Sequence, residues 1–356
     1  MPGVKTPHVL CDTYEAASQA VTELSSSSVL LVDCEGRNIG VPGGALSIIT
    51  VGDWTASRIF LFDVLALPDK SHPLLAPLLS LLRRTDITKI VWDGRADFFE
   101  MVEAYGVQME GVLDLQLVEV AQRGRRKNKG WRQGHTADYF KRMKDELRDD
   151  PDALEGIHRL YGLDHCAGLY GVVGKGGGKN HDVVAMHAQD RTEMWMRRPL
   201  PPALLEYAAH DIELIAKVFA RFQKKGQYLD HLEALKEMSA RYMEVYPTRE
   251  LRAKHAQLDL CKFVPLEVLT PPQDGAPRFE CARCGRVLSL LCFSTAAAGV
   301  KTAESGDAAS SAKPEPQVGE QGDRVVEQRL TLCRLCHLIA RRNSEEVLGE
   351  WVPISA

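Results

Sequence analysis

Acidic side chains recur in this sequence at spacings that would let them hold a divalent cation. Asp33 and Glu35 directly follow the apolar run VLLV, so on a strand both would point to one face of the sheet. Asp211 falls within the apolar stripe of LLEYAAHDIELI, and Tyr207 lies one helical turn before it. An ionised carboxylate in apolar surroundings needs a cation, a metal ion or a hydrogen-bond network. Taken singly, each feature also fits an ordinary strand end or a solvated helix position.

A second group of acids lies in IVWDGRADFFEM and VLDLQL. Asp93 ends a predicted strand, and Asp97 enters the next helix, where it could cap that helix or reach the same pocket as the first acids. Asp114 lies at another strand end, where a capping or strand-end role is the simplest interpretation.

The combination of these acids is more specific than its parts. Together they could hold two divalent ions, which stabilise both the attacking and the leaving oxygen when a phosphodiester is hydrolysed. Oxygen ligands favour Mg²⁺ or Mn²⁺ over softer metals. The predicted site therefore comprises four acids and one tyrosine: Asp33, Glu35, Asp97, Asp211 and Tyr207.

The elements that would position these residues indicate an α/β fold. Apolar runs in VLLVDCEG, LSIITVG and RIFLFDV predict three strands in a meander. KIVWD and GVLDL predict two more strands that alternate with helices, which indicates a mixed sheet flanked by helices. We predict helices at about 74–83, 96–105, 137–148, 152–161, 203–222 and 228–245.

A basic segment without acids extends from Ala121 to Ala137. It could be a solvated loop, a nuclear-import signal or a surface that contacts the nucleic-acid backbone. The candidate contact residues are Arg123, Arg125, Arg126, Lys127, Lys129, Trp131 and Arg132.

In these motifs the chain resembles the 3'-5' exonuclease domains of the DEDD superfamily, in their ribonuclease D-like branch. D-x-E matches Asp33 and Glu35, and Y-x-x-x-D matches Tyr207 and Asp211. VWDGRAD is similar to the second motif of Egalitarian-like relatives and assigns the metal-binding acid to Asp97. The resemblance also includes MWMRRPLPPALLEYAAHDIELI and VLDLQL, and it covers roughly residues 10 to 225.

The resemblance implies a ribonuclease H-like fold and release of nucleoside 5'-monophosphates from single-stranded 3' ends, with RNA somewhat favoured over DNA. The family assigns all four acids to the two ions and implies that Tyr207 orients the attacking water, since an unperturbed phenol ionises only near pH 10. Either Glu35 or a metal-bound hydroxide would take the proton. A different class of function is a catalytically silent adaptor that uses the fold and the cysteine module to bind nucleic acid or protein.

Four cysteines near the C-terminus form two C-x-x-C pairs, CARC and CRLC. Such pairs are typical of a structural zinc site, here formed by Cys281, Cys284, Cys333 and Cys336. The 48 residues between the pairs exceed the usual spacing, and a segment rich in Ala, Gly, Ser, Glu and Pro at about 294–327 predicts a disordered insert. Cys292 or His337 could supply an alternative fourth ligand.

The composition suits a globular protein, with 45% hydrophobic and 26% charged residues. A net charge of -4 argues against a uniformly basic surface. We expect an intracellular protein, nuclear or cytoplasmic, because no apolar run is long enough for a membrane span and the first residues lack a signal-peptide pattern. The predicted parts are a tail (1–9), the exonuclease-like domain (10–225), a helical extension and linker (226–274), the cysteine module (275–343) and a tail (344–356).

Overall fold

The computed structural model describes residues 7–125, 135–150, 152–173, 192–297 and 326–354. Two compact units make up the chain, Met1–Leu269 and Thr270–Ala356. The described part has no helix whose length and hydropathy would suit a membrane span.

The first unit is built on a mixed sheet of six strands. They are β1 (Val9–Cys11), β2 (Val29–Arg37), β3 (Ala45–Asp53), β4 (Ile59–Asp63), β5 (Thr88–Val91) and β6 (Val112–Asp114). Their spatial order is β1-β4-β3-β2-β5-β6. The antiparallel meander β2–β3–β4 is central, while β5 lies parallel to β2 and β6 parallel to β5. The predicted mixed α/β sheet is therefore confirmed, and the carboxyl ends of β2, β5 and β6 lie at one edge.

Helices cover both faces of this sheet. On one face lie α1 (Tyr14–Leu24), α2 (Ala76–Arg83) and α3 (Arg95–Tyr105), whose apolar side chains form one core with Leu30 and Val32 of β2. The intervening residue Leu31 belongs to a second core on the other face. The later helices are α4 (Leu115–Arg125), α5 (Lys144–Asp149), α6 (Leu163–Leu169), α7 (Pro202–Lys224), α8 (Leu232–Met243) and α9 (Arg249–Gln257).

The second core includes Ala167 of α6 and Ile212 of α7. Because side chains alternate along β2, its odd-numbered positions face α7. Local signals set the helix ends: Thr13 caps α1 by accepting the N–H of Ala16, and α3 ends at Gly106, whose φ of 63° is left-handed.

The second unit contains β7 (Arg278–Glu280), β8 (Val287–Ser289), β9 (Phe293–Ala297), β10 (Val326–Cys333), α10 (Arg334–Arg342) and β11 (Trp351–Pro353). β7 and β8 form a hairpin, and β10 pairs antiparallel with both β9 and β11. The predicted insert at 294–327 falls largely outside the described residues, but its first four residues belong to β9 and its last two to β10.

Several secondary-structure predictions were wrong. Residues 152–161 do not form a helix: they turn and then extend, and Arg159 bridges to Phe263. The predicted helix at 137–148 is interrupted near Phe140, after which a 3-10 turn (Lys141–Met143) leads into α5. The prediction also omitted β1, α1, α6 and α9 of the first unit.

Candidate functional site

The D-x-E pair lies on the central strand, near its carboxyl end. Asp33 and Glu35 are neighbours of Thr50 and Ile48 on the antiparallel strand β3. Both carboxylates share the face of Leu31, which α7 covers. Glu35 is buried and Asp33 is partly exposed, so the pair lies at the boundary between the core and solvent.

Helix α7 brings Asp211 to this pair. The helix has 23 residues, begins with Pro202 in its first turn, and buries a continuous stripe that contains Asp211. Its close approach depends on Gly52 of β3, where an added Cβ would lie 2.7 Å from Cγ2 of Ile212. Gly52 was not among the predicted site residues, although a glycine inside an apolar strand can signal a close approach of this kind.

Asp33, Glu35 and Asp211 converge. One carboxylate oxygen from each lies within 4.8 Å of the others. Three negative charges this close repel one another, and a bound cation would relieve that repulsion. A hard oxygen donor set of this kind fits a divalent ion such as Mg²⁺ or Mn²⁺.

Asp97 lies in the first turn of α3, at the same edge of the sheet, but outside the close group of three. It is buried, and that burial, followed by the charges of Asp33 and Asp93, raises its pKa well above the usual range. Gly94, not Asp97, occupies the cap position of α3, so the capping alternative does not describe Asp97. Its carboxylate instead lies in the electrostatic field of the acid cluster.

Asp93 and Asp114 hold the backbone near the acid cluster through hydrogen bonds and an ion pair. For Asp114 this agrees with the strand-end role given above as its simplest interpretation. The carboxylate of Asp114 accepts the backbone N–H groups of Asp93, Gly94 and Gln116. Asp93 has a left-handed φ of 56° and pairs with the buried Arg95 at 2.6 and 2.9 Å. These contacts fix the turn between β5 and α3, which places Asp97.

Tyr207 lies one turn before Asp211 and is buried, with its ring centroid 6.3 Å from that of Trp195. Trp195 belongs to a 3-10 segment (Thr192–Met196) that packs on β2. Arg198 holds this segment: its guanidinium makes two 2.6 Å contacts with Asp63 and donates to the carbonyl of Trp195. The resemblance included RPL as a motif, but its contact with Asp63 could not be read from spacing.

The first cation of the basic segment, Arg123, does not belong to a basic surface. Arg123 is buried, pairs with Glu119 at 2.8 Å and donates to the carbonyl of Arg159. Its guanidinium also lies 4.4 Å from the ring centroid of Tyr161, so it is committed to the interior and does not offer a backbone contact to nucleic acid. The structure does not describe the side chain of Arg125, and Arg126, Lys127, Lys129, Trp131 and Arg132 lie outside the described residues.

The four cysteines of the C-x-x-C pairs converge in the second unit. Cys281, Cys284, Cys333 and Cys336 are buried, and their sulfur atoms all lie within 4.8 Å of one another. The first pair lies in the turn between β7 and β8, and the second starts α10. This cluster could hold zinc, because four thiolates match its preferred tetrahedral site.

Neither alternative ligand belongs to the cluster. Cys292 is buried outside the group of four sulfur atoms, and Nδ1 of His337 lies 3.0 Å from the carbonyl oxygen of Leu348. The residues with C-x-x-C spacing therefore form the cluster by themselves.

The first unit has the fold of ribonuclease D-like exonucleases. The ribonuclease D of Trypanosoma brucei superposes with a TM-score of 0.51 at 21% identity, over 80% of this chain and 94% of that one. The same enzyme in complex with the RNA U12 gives a TM-score of 0.50 at 24% identity, over 69% of this chain and 72% of that one. These comparisons confirm the predicted fold. No family model matches the sequence, and no curated protein matches it.

Proposed function

We propose that this chain is a metal-dependent 3'-5' exonuclease that acts on single-stranded nucleic acid and favours RNA. The observation that carries the proposal is the convergence of Asp33, Glu35 and Asp211 to within 4.8 Å, with the buried Asp97 at the same edge of the sheet. Repulsion between these carboxylates destabilises the protein when no cation is bound, and bound cations would offset that repulsion.

Asp33, Glu35, Asp97 and Asp211 would hold two Mg²⁺ or Mn²⁺ ions. When bound, the ions supply an activated water and neutralise charge that develops on the phosphodiester. Asp33, the partly exposed acid of the pair, would be a ligand on the solvent side of this site. Tyr207 is held in a buried position by α7 and by Trp195, so its hydroxyl can orient a water molecule without the freedom of a surface side chain.

The preference for RNA rests on the fold comparison. The Trypanosoma brucei enzyme that shares this fold was solved with an RNA, and we extend that ligand class to the present chain. A single-stranded end suits the site because the terminal nucleotide must separate from its neighbours before its phosphodiester can reach the acids.

In the second unit, we propose that Cys281, Cys284, Cys333 and Cys336 bind one structural Zn²⁺. The described strands there are short, and a closed four-thiolate site would link the β7–β8 hairpin to α10. The unit could then present a surface to a protein partner or to nucleic acid.

The proposal can be tested with 5'-labelled single-stranded RNA and DNA of the same sequence. We expect Mn²⁺ or Mg²⁺ to produce a ladder that shortens from the 3' end, and EDTA or Asp33→Asn to abolish it. Glu213→Gln is the matched control, since Glu213 is an acid on α7 that pairs with Lys217 on the surface. That control should retain the activity of the unmodified protein.

Two results would contradict the enzyme proposal. If the unmodified protein binds RNA and Mn²⁺ but leaves both substrates intact, the chain is an adaptor with an exonuclease fold. If shortening persists in Asp33→Asn, the hydrolysis belongs to another site or to a contaminant.

A further inference from the structure

The helices after residue 225 contact the part of the first unit that carries Asp97. Tyr242 of α8 is fully buried, and its hydroxyl lies 2.8 Å from Oε1 of Gln116 and 3.4 Å from Oδ1 of Asp93. Ser239 accepts the backbone N–H of Asp114 at 2.9 Å. Tyr242 reaches the turn from which α3 starts, and Ser239 reaches the end of β6, whose Asp114 carboxylate accepts two N–H groups of that turn. Both residues follow the predicted end of the exonuclease-like domain.

The same helices balance the buried charges of α3. Arg95, Asp97 and Glu100 are all buried on this short helix. Arg95 pairs with Asp93 and lies 4.5 Å from the ring centroid of Tyr242. Glu100 accepts from Arg249 of α9 at 2.9 Å and from the backbone N–H of Gly40 at 2.7 Å. The two flanking charges are therefore neutralised by their own partners, while Asp97 faces the acid cluster.

Arg252 of α9 lies where the loop after β2 meets the first turn of α3. Its Nη1 donates to the carbonyl of Ile39 at 3.1 Å. An added Cβ on Gly40 would lie 2.9 Å from that same nitrogen and 3.0 Å from the Cβ of Ala96, the residue before Asp97. The positive charge of Arg252 therefore lies near the buried carboxylate of Asp97.

From these contacts we infer that Tyr242 of α8 and Arg252 of α9 are positioning residues for Asp97. The inference rests on the proposed function of the acid cluster. An isolated helix as short as α3, with 11 residues, is marginal in water, so the position of the Asp97 carboxylate depends on the contacts that fix α3. α8 and α9 supply contacts at its first turn and at Glu100.

The test compares Tyr242→Phe and Arg252→Gln in the full chain, with Lys254→Gln as the control. Lys254 is exposed and lies two residues after Arg252 on the same helix. The rate of RNA shortening is measured against Mn²⁺ concentration, and Mn²⁺ binding is measured separately by calorimetry without RNA. We expect both variants to need about tenfold more Mn²⁺, because changes to residues behind metal ligands typically cost 10- to 100-fold in affinity.

Three results would distinguish a positioning role from a purely structural one. KM for RNA should stay the same, high Mn²⁺ should restore the rate, and Arg252→Lys should recover part of the affinity that Arg252→Gln loses. The inference is overturned if melting temperatures fall while the Mn²⁺ requirement is unchanged, which would show a purely structural role. It is also overturned if KM for RNA rises alone, which would show a direct RNA contact.

The calorimetric measurement separates this inference from the proposed function. If the unmodified protein binds Mn²⁺ without hydrolysing RNA, the exonuclease proposal fails. The positioning inference would still stand or fall on the affinity difference between Arg252→Gln and Lys254→Gln.

Discussion

The chain contains two clusters of metal-ligating side chains, and they are assembled in different ways. The carboxylates of the first unit come from β2 and α7, with Asp97 from α3, so residues far apart in the sequence must meet across a sheet. The cysteines of the second unit come in two local pairs, each held by a tight turn or by the first turn of a helix. The carboxylate cluster therefore forms only when the first unit is folded. The cysteine cluster needs only the local structure around each C-x-x-C pair, and metal binding there could drive folding of the second unit.

The two clusters also differ in their exposure to solvent. Asp33 is partly exposed, so the carboxylate cluster has one side open to solvent, as a site that receives a substrate requires. All four cysteines are buried, as a closed structural site requires. Position in the fold and donor type together distinguish a partly exposed carboxylate cluster from a buried thiol cluster.

The largest expected effect is on the thiolate cluster. We predict that Cys336→Ser loses the zinc completely and unfolds the second unit, because a structural zinc site contributes its binding free energy to folding. Zinc content by atomic emission and hydrogen exchange of residues 270–297 and 326–354 would show this. RNA shortening on short oligonucleotides should persist. Cys292→Ala, the control outside the cluster, should retain zinc; equal zinc in both variants would contradict the account.

The next effect concerns Asp97. We predict that Asp97→Asn slows hydrolysis by at least about 100-fold, since it weakens the hold on a catalytic ion. The same change should stabilise the protein in EDTA at pH 8. Folding raises the pKa of Asp97, so the folded state binds the proton more tightly, and stability falls as pH rises through the raised pKa. The amide removes that cost.

The stability effect can be measured as the melting temperature between pH 5 and pH 8 in EDTA. Each kcal/mol gained should raise the midpoint by about 2–4 °C in a unit of this size. The difference between Asp97→Asn and the unmodified protein should grow with pH. A variant that is less stable at pH 8 would show that Asp97 is already well compensated without metal.

The smallest effect is expected at Gly52. We predict that Gly52→Ala destabilises the first unit by roughly 1–3 kcal/mol, because the added methyl group would lie 2.7 Å from Ile212. The shift of α7 would also displace Asp211 and lower the hydrolysis rate several-fold. Adding Ile212→Leu, which lacks the Cγ2 methyl group at similar volume, should restore part of both losses, measured by thermal unfolding and by RNA shortening. No rescue would mean that α7 does not set the position of Asp211 through this contact.

Local spacing was sufficient to predict geometry in two places. The two-residue spacing of Asp33 and Glu35 on a strand requires a common face, and the two C-x-x-C pairs specify the thiolate cluster without reference to the rest of the fold. The choice of Asp97 over Asp93 came from the resemblance and stays a prediction; in the structure, Asp93 pairs with Arg95.

The remaining features depend on contacts between distant residues. Arg123 was assigned to a basic surface because it opens a run of cations, but α4 extends through it and places Glu119 one turn earlier, where the two pair in the interior. Tyr242, Arg249 and Arg252 carry no motif, and their contacts with α3 could not be inferred from spacing. The role of Gly52 likewise depends on how closely α7 approaches.

The most direct test of the account is a metal add-back on protein that retains its zinc but has been freed of Mg²⁺ and Mn²⁺. The account predicts that 5'-labelled single-stranded RNA stays intact until Mn²⁺ is added and then shortens from its 3' end, while Asp33→Asn stays inactive at every Mn²⁺ concentration. Shortening by the zinc-loaded protein before Mn²⁺ is added, or no shortening after Mn²⁺ has bound, would contradict the assignment of hydrolysis to the carboxylate cluster.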